Sequence, residues 1–341
     1  MNTIFIVDDA DTNLTKAKQA LEDKYRVLTM PSALKMFALL EKIIPDLILL
    51  DIEMPEMDGF TALKKLKENK LTAKIPIVFL TAQTDATVEI QGFELGAVDF
   101  ITKPFSRPVL LNRIAGHLHI SDLIYERTKH IERLQNGIIS VLANMVEERD
   151  KVTGGHVERT AIYVKILLDA MLEQNIYADE ISKWDSDIVV SSARLHDVGK
   201  VTVSDLLLNK PDKLSAEEFS LVKTHAEEGE RIIDRIIVQT AGDAFLNHAK
   251  FFAGSHHERW DGSGYPKGLK GEEIPLEGRI MAIVDVYDAL VSERPYKKAL
   301  PYEEAENIIM SESGKHFDPK IANVFFDIKD KFKEAHQAIS S

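Results

Sequence analysis

The sequence has no cysteine among its 341 residues. Disulfides and thiolate metal sites are thereby excluded, and any bound metal must be held by nitrogen and oxygen. Long hydrophobic runs are missing too. No stretch reaches the ~20 apolar residues that a bilayer-spanning helix needs, and Met1–Asp9 lacks the basic region of a signal peptide. The expectation is a cytoplasmic protein. Positive charge is short, with 42 Lys and Arg against 55 Asp and Glu and a formal net charge of -13. That balance disfavours nonspecific binding to nucleic acid or anionic membrane, and a DNA-binding output would also need a basic recognition helix that the chain lacks. A small anionic substrate is still admissible if metals and a few Lys or Arg reverse the field locally.

What is present is enough chain for about two domains. In the first part, apolar runs at Thr3–Val7, Arg26–Met30, Leu47–Leu50, Ile75–Leu80 and Val98–Ile101 alternate with amphipathic segments near 12–23, 33–43, 60–69, 85–95 and 106–118. Five β/α repeats with nearly all-apolar strands predict a parallel sheet covered on both faces, with ligand chemistry at the carboxyl ends of the strands. There the sequence places Asp8 and Asp9, Asp51, Thr81 and Lys103. Taken singly, acids after strands are helix caps. Together, three repelling carboxylates call for a hard cation such as Mg²⁺, and Asp51 could then attack a phosphoryl donor.

The motifs Val7-Asp8-Asp9, Leu50-Asp51-Ile52-Glu53-Met54-Pro55, Met57-Asp58-Gly59, Leu80-Thr81-Ala82 and Lys103-Pro104-Phe105 carry a specific resemblance. Residues 1–119 resemble the receiver domain of two-component response regulators. The resemblance implies a doubly wound five-stranded sheet of order 2-1-3-4-5. It makes Asp51 the acceptor of a phosphoryl group from a cognate sensor histidine kinase. It also implies Mg²⁺ at Asp9 and Asp51 with Asp8 assisting, Thr81 and Lys103 on the phosphoryl oxygens, and Phe100 as the aromatic that reports the switch.

Residues 120–135 form a helical linker. From Ile124, apolar residues recur at Ile131, Leu134, Ile138, Val141 and Met145, with Arg127 in the skipped position. The heptad spacing fits a two-stranded coiled coil and hence a homodimer. A helix packed on its own second domain fits equally.

Residues 136–335 show helical periodicity at 136–149, 156–174, 185–198, 216–237, 243–257, 277–292 and 302–311 and read as all-α, with Ser215 and Glu218 as a capping box. His156 follows a glycine turn, His196-Asp197 lie in Leu195–Lys200, His225 lies in the capped helix, His256-His257 end another, and Asp285 lies mid-helix among Ile283, Val284 and Val286. A single buried His is ordinarily a satisfied core side chain. A buried, unpaired Asp285 is harder to accommodate and wants a cation. Seven such ligands are too many for one tetrahedral ion and suit two metals about 4 Å apart sharing Asp197, with metal-activated water as nucleophile. N and O ligands admit Fe, Mn, Ni and Zn alike, Fe or Mn being favoured.

The runs Thr153–His156, Leu195–Lys200, Lys223-Thr224-His225, His256–Pro266, Asp285–Leu290, Arg294–Lys297 and His316–Pro319 give this part its own resemblance, to the HD-GYP subfamily of HD-domain phosphohydrolases. The resemblance implies hydrolysis of cyclic di-GMP to pGpG or onward to GMP. One ion would sit on His156, His196, Asp197 and Asp285, the other on Asp197, His225, His256 and His257. Lys200 would touch the scissile phosphate, and Tyr265, Arg294 and Lys297 would bind substrate. The Gly262–Pro266 loop would border the site and contact diguanylate cyclase (GGDEF) domains. Some members have a Glu four residues before the first His that builds a third metal site; here Val152 stands there, so two metals are expected. Two alternatives remain. One is hydrolysis of another cyclic dinucleotide, such as a mixed cyclic GMP-AMP; the other is a catalytically weak cyclic di-GMP sensor acting through partners.

Overall fold

The computed structural model describes residues 1–69, 71–82, 86–149, 155–240, 242–293 and 298–340. The chain divides into two compact units, Met1–Ile131 and Glu132–Ser341.

In the first unit, strands β1 (Thr3–Val7), β2 (Arg26–Met30), β3 (Leu47–Asp51), β4 (Ile77–Thr81) and β5 (Asp99–Thr102) alternate with helices α1 (Asp11–Leu21), α2 (Ala33–Leu40), α3 (Gly59–Glu68) and α4 (Ala86–Glu94). The sheet is parallel in the order β2-β1-β3-β4-β5, as expected. Every residue of β1, β3 and β4 is buried, because side chains alternate between two apolar layers. Phe5, Val7, Ile48, Leu50, Ile77 and Phe79 face one layer, while Ile4, Ile6, Leu47, Leu49, Val78 and Leu80 face the other. This stacking fixes the register and brings Asp8, Asp51, Thr81 and Lys103 to one edge.

A single helix, α5 (Arg107–Glu148), spans 42 residues. Leu110, Ile114 and Leu118 on its first part join the first unit's core. Near its end, Ala143 and Glu147 are buried, Asn136 accepts a hydrogen bond from Ser191, and Ser140 donates to Glu158. Ile131, Leu134, Ile138, Val141 and Met145 lie elsewhere on the helix surface, each more than half exposed.

The second unit continues with α6 (His156–Glu173), α7 (Ala178–Ile181), α8 (Ser186–Ala193), a 3₁₀ turn at Val198–Thr202, α9 (Asp205–Leu208), α10 (Ala216–Thr240) and α11 (Ala244–Ser255). It ends with α12 (Leu276–Val291), α13 (Tyr302–Ser311), α14 (Pro319–Asp327) and α15 (Lys329–Ser340). No strand occurs among its described residues. The capping box is formed: Glu218 N–H donates to Ser215 Oγ at 3.2 Å, and Ser215 N–H to Glu218 Oε2 at 2.7 Å. The core is an aromatic and aliphatic cluster in which Tyr163, Tyr287, Phe325 and Phe332 meet edge-on or stacked.

Two expectations need correction. Periodicity carries a helix over 185–198, yet α8 ends at Ala193, and His196 and Asp197 occupy the turn that follows. The cause is Gly199: a Cβ there would lie 1.9 Å from the His225 carbonyl oxygen. The chain must leave the helix to press this glycine onto α10. The second correction is the pair α14 and α15, which the periodicity does not mark. Among the described residues, no helix is long and apolar enough to cross a membrane.

Candidate metal centre

The break after α8 places Asp197 against α10 and α11. Asp197, His225, His256 and His257 each offer a ligand atom within 4.8 Å of the others, and His156, His196 and Asp285 form a second such group. The two groups adjoin through His196 Nε2, which lies 3.5 Å from Asp197 Oδ2.

The imidazoles are oriented by what their other nitrogen does. His196 Nδ1 lies 2.9 Å from the Ala193 carbonyl, His225 Nδ1 lies 2.7 Å from that of Val222, and His256 Nδ1 lies 2.9 Å from that of Phe252. His156 Nδ1 lies 2.8 Å from Asp288 Oδ2. Carbonyl and carboxylate oxygens accept only, so each Nδ1 carries the hydrogen and each Nε2 can present a lone pair. These Nε2 atoms face one another: His156 and His196 at 3.3 Å, His225 and His256 at 3.4 Å. Beside the second pair lies Asp197 Oδ1, buried without a hydrogen-bond partner, 3.3 Å from His225 Nε2 and 3.7 Å from His256 Nε2. Acceptors crowded in this way repel unless a cation sits among them. The donor set therefore fits two divalent ions.

The charge states of His225, His257 and Asp197 agree. Burial pushes His225 down to about 4 and His257 well below the usual imidazole range, which keeps both neutral as ligands must be. Burial opposes the Asp197 charge, but Lys200 and His196 outweigh it and hold the carboxyl well below the usual range. Lys200 Nζ is 2.9 Å from Asp197 Oδ2. A cavity of about 140 Å³ opens beside these groups, with His156, Asp197, Lys200, His257 and Asp285 on its wall.

At the carboxyl edge of the sheet, Asp8, Asp9 and Asp51 form a third group within 4.8 Å. Lys103 Nζ bridges two of them, 2.6 Å from Asp8 and 2.8 Å from Asp51. Burial is the main influence on Asp51 and raises its pKa, against the hydrogen bond from Lys103. Thr81 is buried at the same edge, and the Phe100 ring packs between Phe79 and Phe93, at 5.3 and 5.0 Å.

Comparison with known proteins matches both units. Residues 4–115 fit the response regulator receiver domain, and residues 140–321 fit the HD domain. The chain belongs to the response regulators that join a receiver domain to an HD domain. One Vibrio cholerae serotype O1 relative, described as a "Probable cyclic di-GMP phosphodiesterase", is 39% identical over 99% of this chain and 81% of its own. The Xanthomonas campestris cyclic di-GMP phosphodiesterase response regulator RpfG is 33% identical over 93% of this chain and 85% of its own. A 3'3'-cGAMP-specific phosphodiesterase 2 of Vibrio cholerae is 39% identical, but over 56% of this chain and 34% of its own.

Within the HD domain, the seven expected ligands converge in two adjoining groups, with Lys200 alongside. Tyr265 stands at the rim, its ring 4.7 Å from that of His257, and burial raises its pKa. Its loop is held by Glu258, a buried carboxylate that accepts N–H bonds from Lys267 at 2.7 Å and Leu269 at 3.0 Å. Arg294, Lys297 and Val152 fall outside the described residues. Sequence reasoning missed Asp288 and Arg159. Arg159 donates to Asp288 at 2.6 Å through Nε and at 3.0 Å through an Nη. Burial works against the Asp288 charge, but His156 and Arg159 bring its pKa down to about 2. The signal was available, since Asp288 follows Asp285 by three residues, the only two charged residues between Ile280 and Val291 on that helix.

Proposed function

We propose that this chain is a phosphorylation-controlled phosphodiesterase that hydrolyses cyclic di-GMP. The observation that carries the reading is the convergence of imidazole lone pairs on the unsatisfied oxygen of Asp197. His156, His196 and Asp285 would hold one ion, His225, His256 and His257 the other, and Asp197 would serve both. When bound, such ions supply Lewis acidity and lower the pKa of water to near neutrality. Lys200, beside Asp197, would meet the phosphate that enters the cavity and offset its charge in a protein of formal net charge -13. Water adds at phosphorus, one phosphodiester P–O bond breaks, and linear pGpG results; a second round would give GMP. The half-buried carboxylates Asp197 and Asp285, crowded by neutral imidazoles, leave little room for further negative charge without metals, which favours a loaded enzyme over a sensor.

In the receiver domain, Asp51 would take the phosphoryl group from a sensor histidine kinase. Lys103 would move from its bridge between Asp8 and Asp51 onto a phosphoryl oxygen, and Mg²⁺ would neutralise the remaining acids. Homodimerisation would use the exposed heptad positions of α5, and the Gly262–Pro266 loop would meet diguanylate cyclase domains.

The deciding experiment incubates purified, Mn²⁺- or Fe²⁺-loaded full-length protein with cyclic di-GMP and, separately, with 3'3'-cGAMP, and resolves the products by chromatography. Preferential conversion of cyclic di-GMP to pGpG supports the proposal. Preference for the mixed dinucleotide would reassign the substrate, and inertness toward both would make the chain a sensor. Asp51→Asn should abolish phosphoryl labelling by acetyl phosphate; label persisting would refute the acceptor assignment.

A further inference from the structure

Helix α6, which begins with His156, has no cap of its own. Gly155 precedes it with φ 93° and supplies no side-chain hydrogen bond. Its first free N–H groups are satisfied from another helix: Glu147, in the last turn of α5, accepts from His156 N at 3.0 Å and from Val157 N at 3.3 Å. Glu147 is buried, so the carboxylate lies where its charge acts strongly on the helix terminus. Two residues on, just past the end of α5, Arg149 grips the turn that carries Lys200. Its guanidinium donates to the carbonyl of Lys200 at 3.2 Å and that of Val203 at 3.0 Å, and is tethered by Asp205 at 3.0 Å. Asn209 in turn donates to the Arg149 carbonyl at 2.7 Å.

The end of α5 and the residue that follows it therefore hold the backbone under His156 and the backbone under Lys200. We propose that Glu147 and Arg149 are positioning residues. Through them the end of α5 sets His156 relative to the other ligands and Lys200 relative to Asp197. The bonds run to main-chain atoms, so they fix where the two segments lie. A shift or rotation of the last turn of α5 would displace both together. This rests on the metal reading above, and it makes the C-terminal turn of α5 the element through which a change arriving along that helix would reach the chemistry.

The test uses the full-length chain with Glu147→Ala, Glu147→Gln, Arg149→Ala and Arg149→Lys. In metal-free protein, hydrogen exchange at His156 and Val157 should accelerate about tenfold or more in Glu147→Ala, and by less in Glu147→Gln. Titration with Mn²⁺ should show one of the two ions weakened about 10–100-fold in Glu147→Ala while the other changes little. Arg149→Ala should keep both ions and raise KM more than it lowers kcat, with partial rescue by Arg149→Lys. Unchanged exchange at His156 and Val157, or equal weakening of both ions, would overturn the proposal. The Gln and Lys variants carry the same test if the alanine variants do not fold. Wild-type protein that binds fewer than two ions would count against the metal reading instead, and the metal-free exchange would still judge the clamp.

Discussion

His225 Nε2 and Asp197 Oδ1 lie 3.3 Å apart as two acceptors, since the hydrogen of His225 is committed to Val222 and the oxygen has no partner. Asp197 also sits 2.9 Å from Lys200 and 3.5 Å from His196 of the neighbouring group, the position from which the proposed function has it serve both ions. Asp197→Asn keeps the shape while removing the charge. Turnover should fall by at least about a thousandfold, and metal content should drop from two per chain to below one. Elemental analysis alongside initial rates checks this, and a variant retaining both ions would show that Asp197 does not bridge.

Asp288 acts one step further out. It anchors His156 through Nδ1 and is itself held by Arg159, an arrangement that fixes the tautomer and the ring direction of a metal ligand. Asp288→Asn lets the ring turn and leaves the buried Arg159 without its carboxylate. Affinity at the His156, His196 and Asp285 group should weaken about 10–100-fold, with some loss of stability because Arg159 is buried. Mn²⁺ titration with a parallel melting curve separates the two effects. Unaltered affinity would make Asp288 a purely structural partner of Arg159.

The two groups should also lose their ions at different pH. Burial lowers His225 to about 4 and His257 well below the usual range, so protons do not compete for these ligands as pH falls from 7 to roughly 5. His196 goes the other way: burial lowers its pKa, but Asp197 and Asp285 outweigh burial and raise it above the ordinary value. A proton at His196 therefore competes with the ion there in a range where His225 and His257 are still deprotonated. Equilibrium dialysis against Mn²⁺ at pH 8, 6.5 and 5.5 should show stepwise loss, this group emptying first. Simultaneous loss of both ions would contradict the assignment.

The receiver fold was legible because β1, β3 and β4 are apolar on both faces and alternate with amphipathic segments, the pattern of a covered parallel sheet. Five of the seven residues that gather in the two candidate groups were legible because His196-Asp197 and His256-His257 are adjacent pairs and Asp285 is an acid inside an apolar run. The turn after α8 was not. Nothing between Ser191 and Val198 breaks a helix by composition, and the break comes from the contact of Gly199 with His225 and Gly229, which is tertiary. Glu147, Arg149 and Arg159 escaped for a related reason. On an exposed surface each would be an ordinary helix charge, and only the fold shows that Glu147 and Arg159 are buried and whose backbone or carboxylate each one meets.

The α5 seam was readable in spacing but undecided in purpose. Within the second unit, α5 packs through Asn136, Ser140, Ala143 and Glu147, steps of three and four that define one face. Leu134, Ile138, Val141 and Met145 continue a separate heptad row and stay more than half exposed. Packing on the chain's own second domain thus leaves the row unconsumed, and a second copy presenting the same row is the partner that a heptad of isoleucine, leucine and valine fits. Sedimentation should give twice the 38.4 kDa chain mass. Leu134→Glu with Ile138→Glu places like charges in the seam and should raise the dimer dissociation constant by about a hundredfold or more, since each substitution forfeits roughly 1.5–3 kcal/mol of side-chain burial. The monomer's own melting temperature should hardly move, because both positions are exposed in the single chain. A wild-type chain that sediments at its single mass at 100-micromolar-scale concentrations, or a double variant that still dimerises, would assign the row to some other partner.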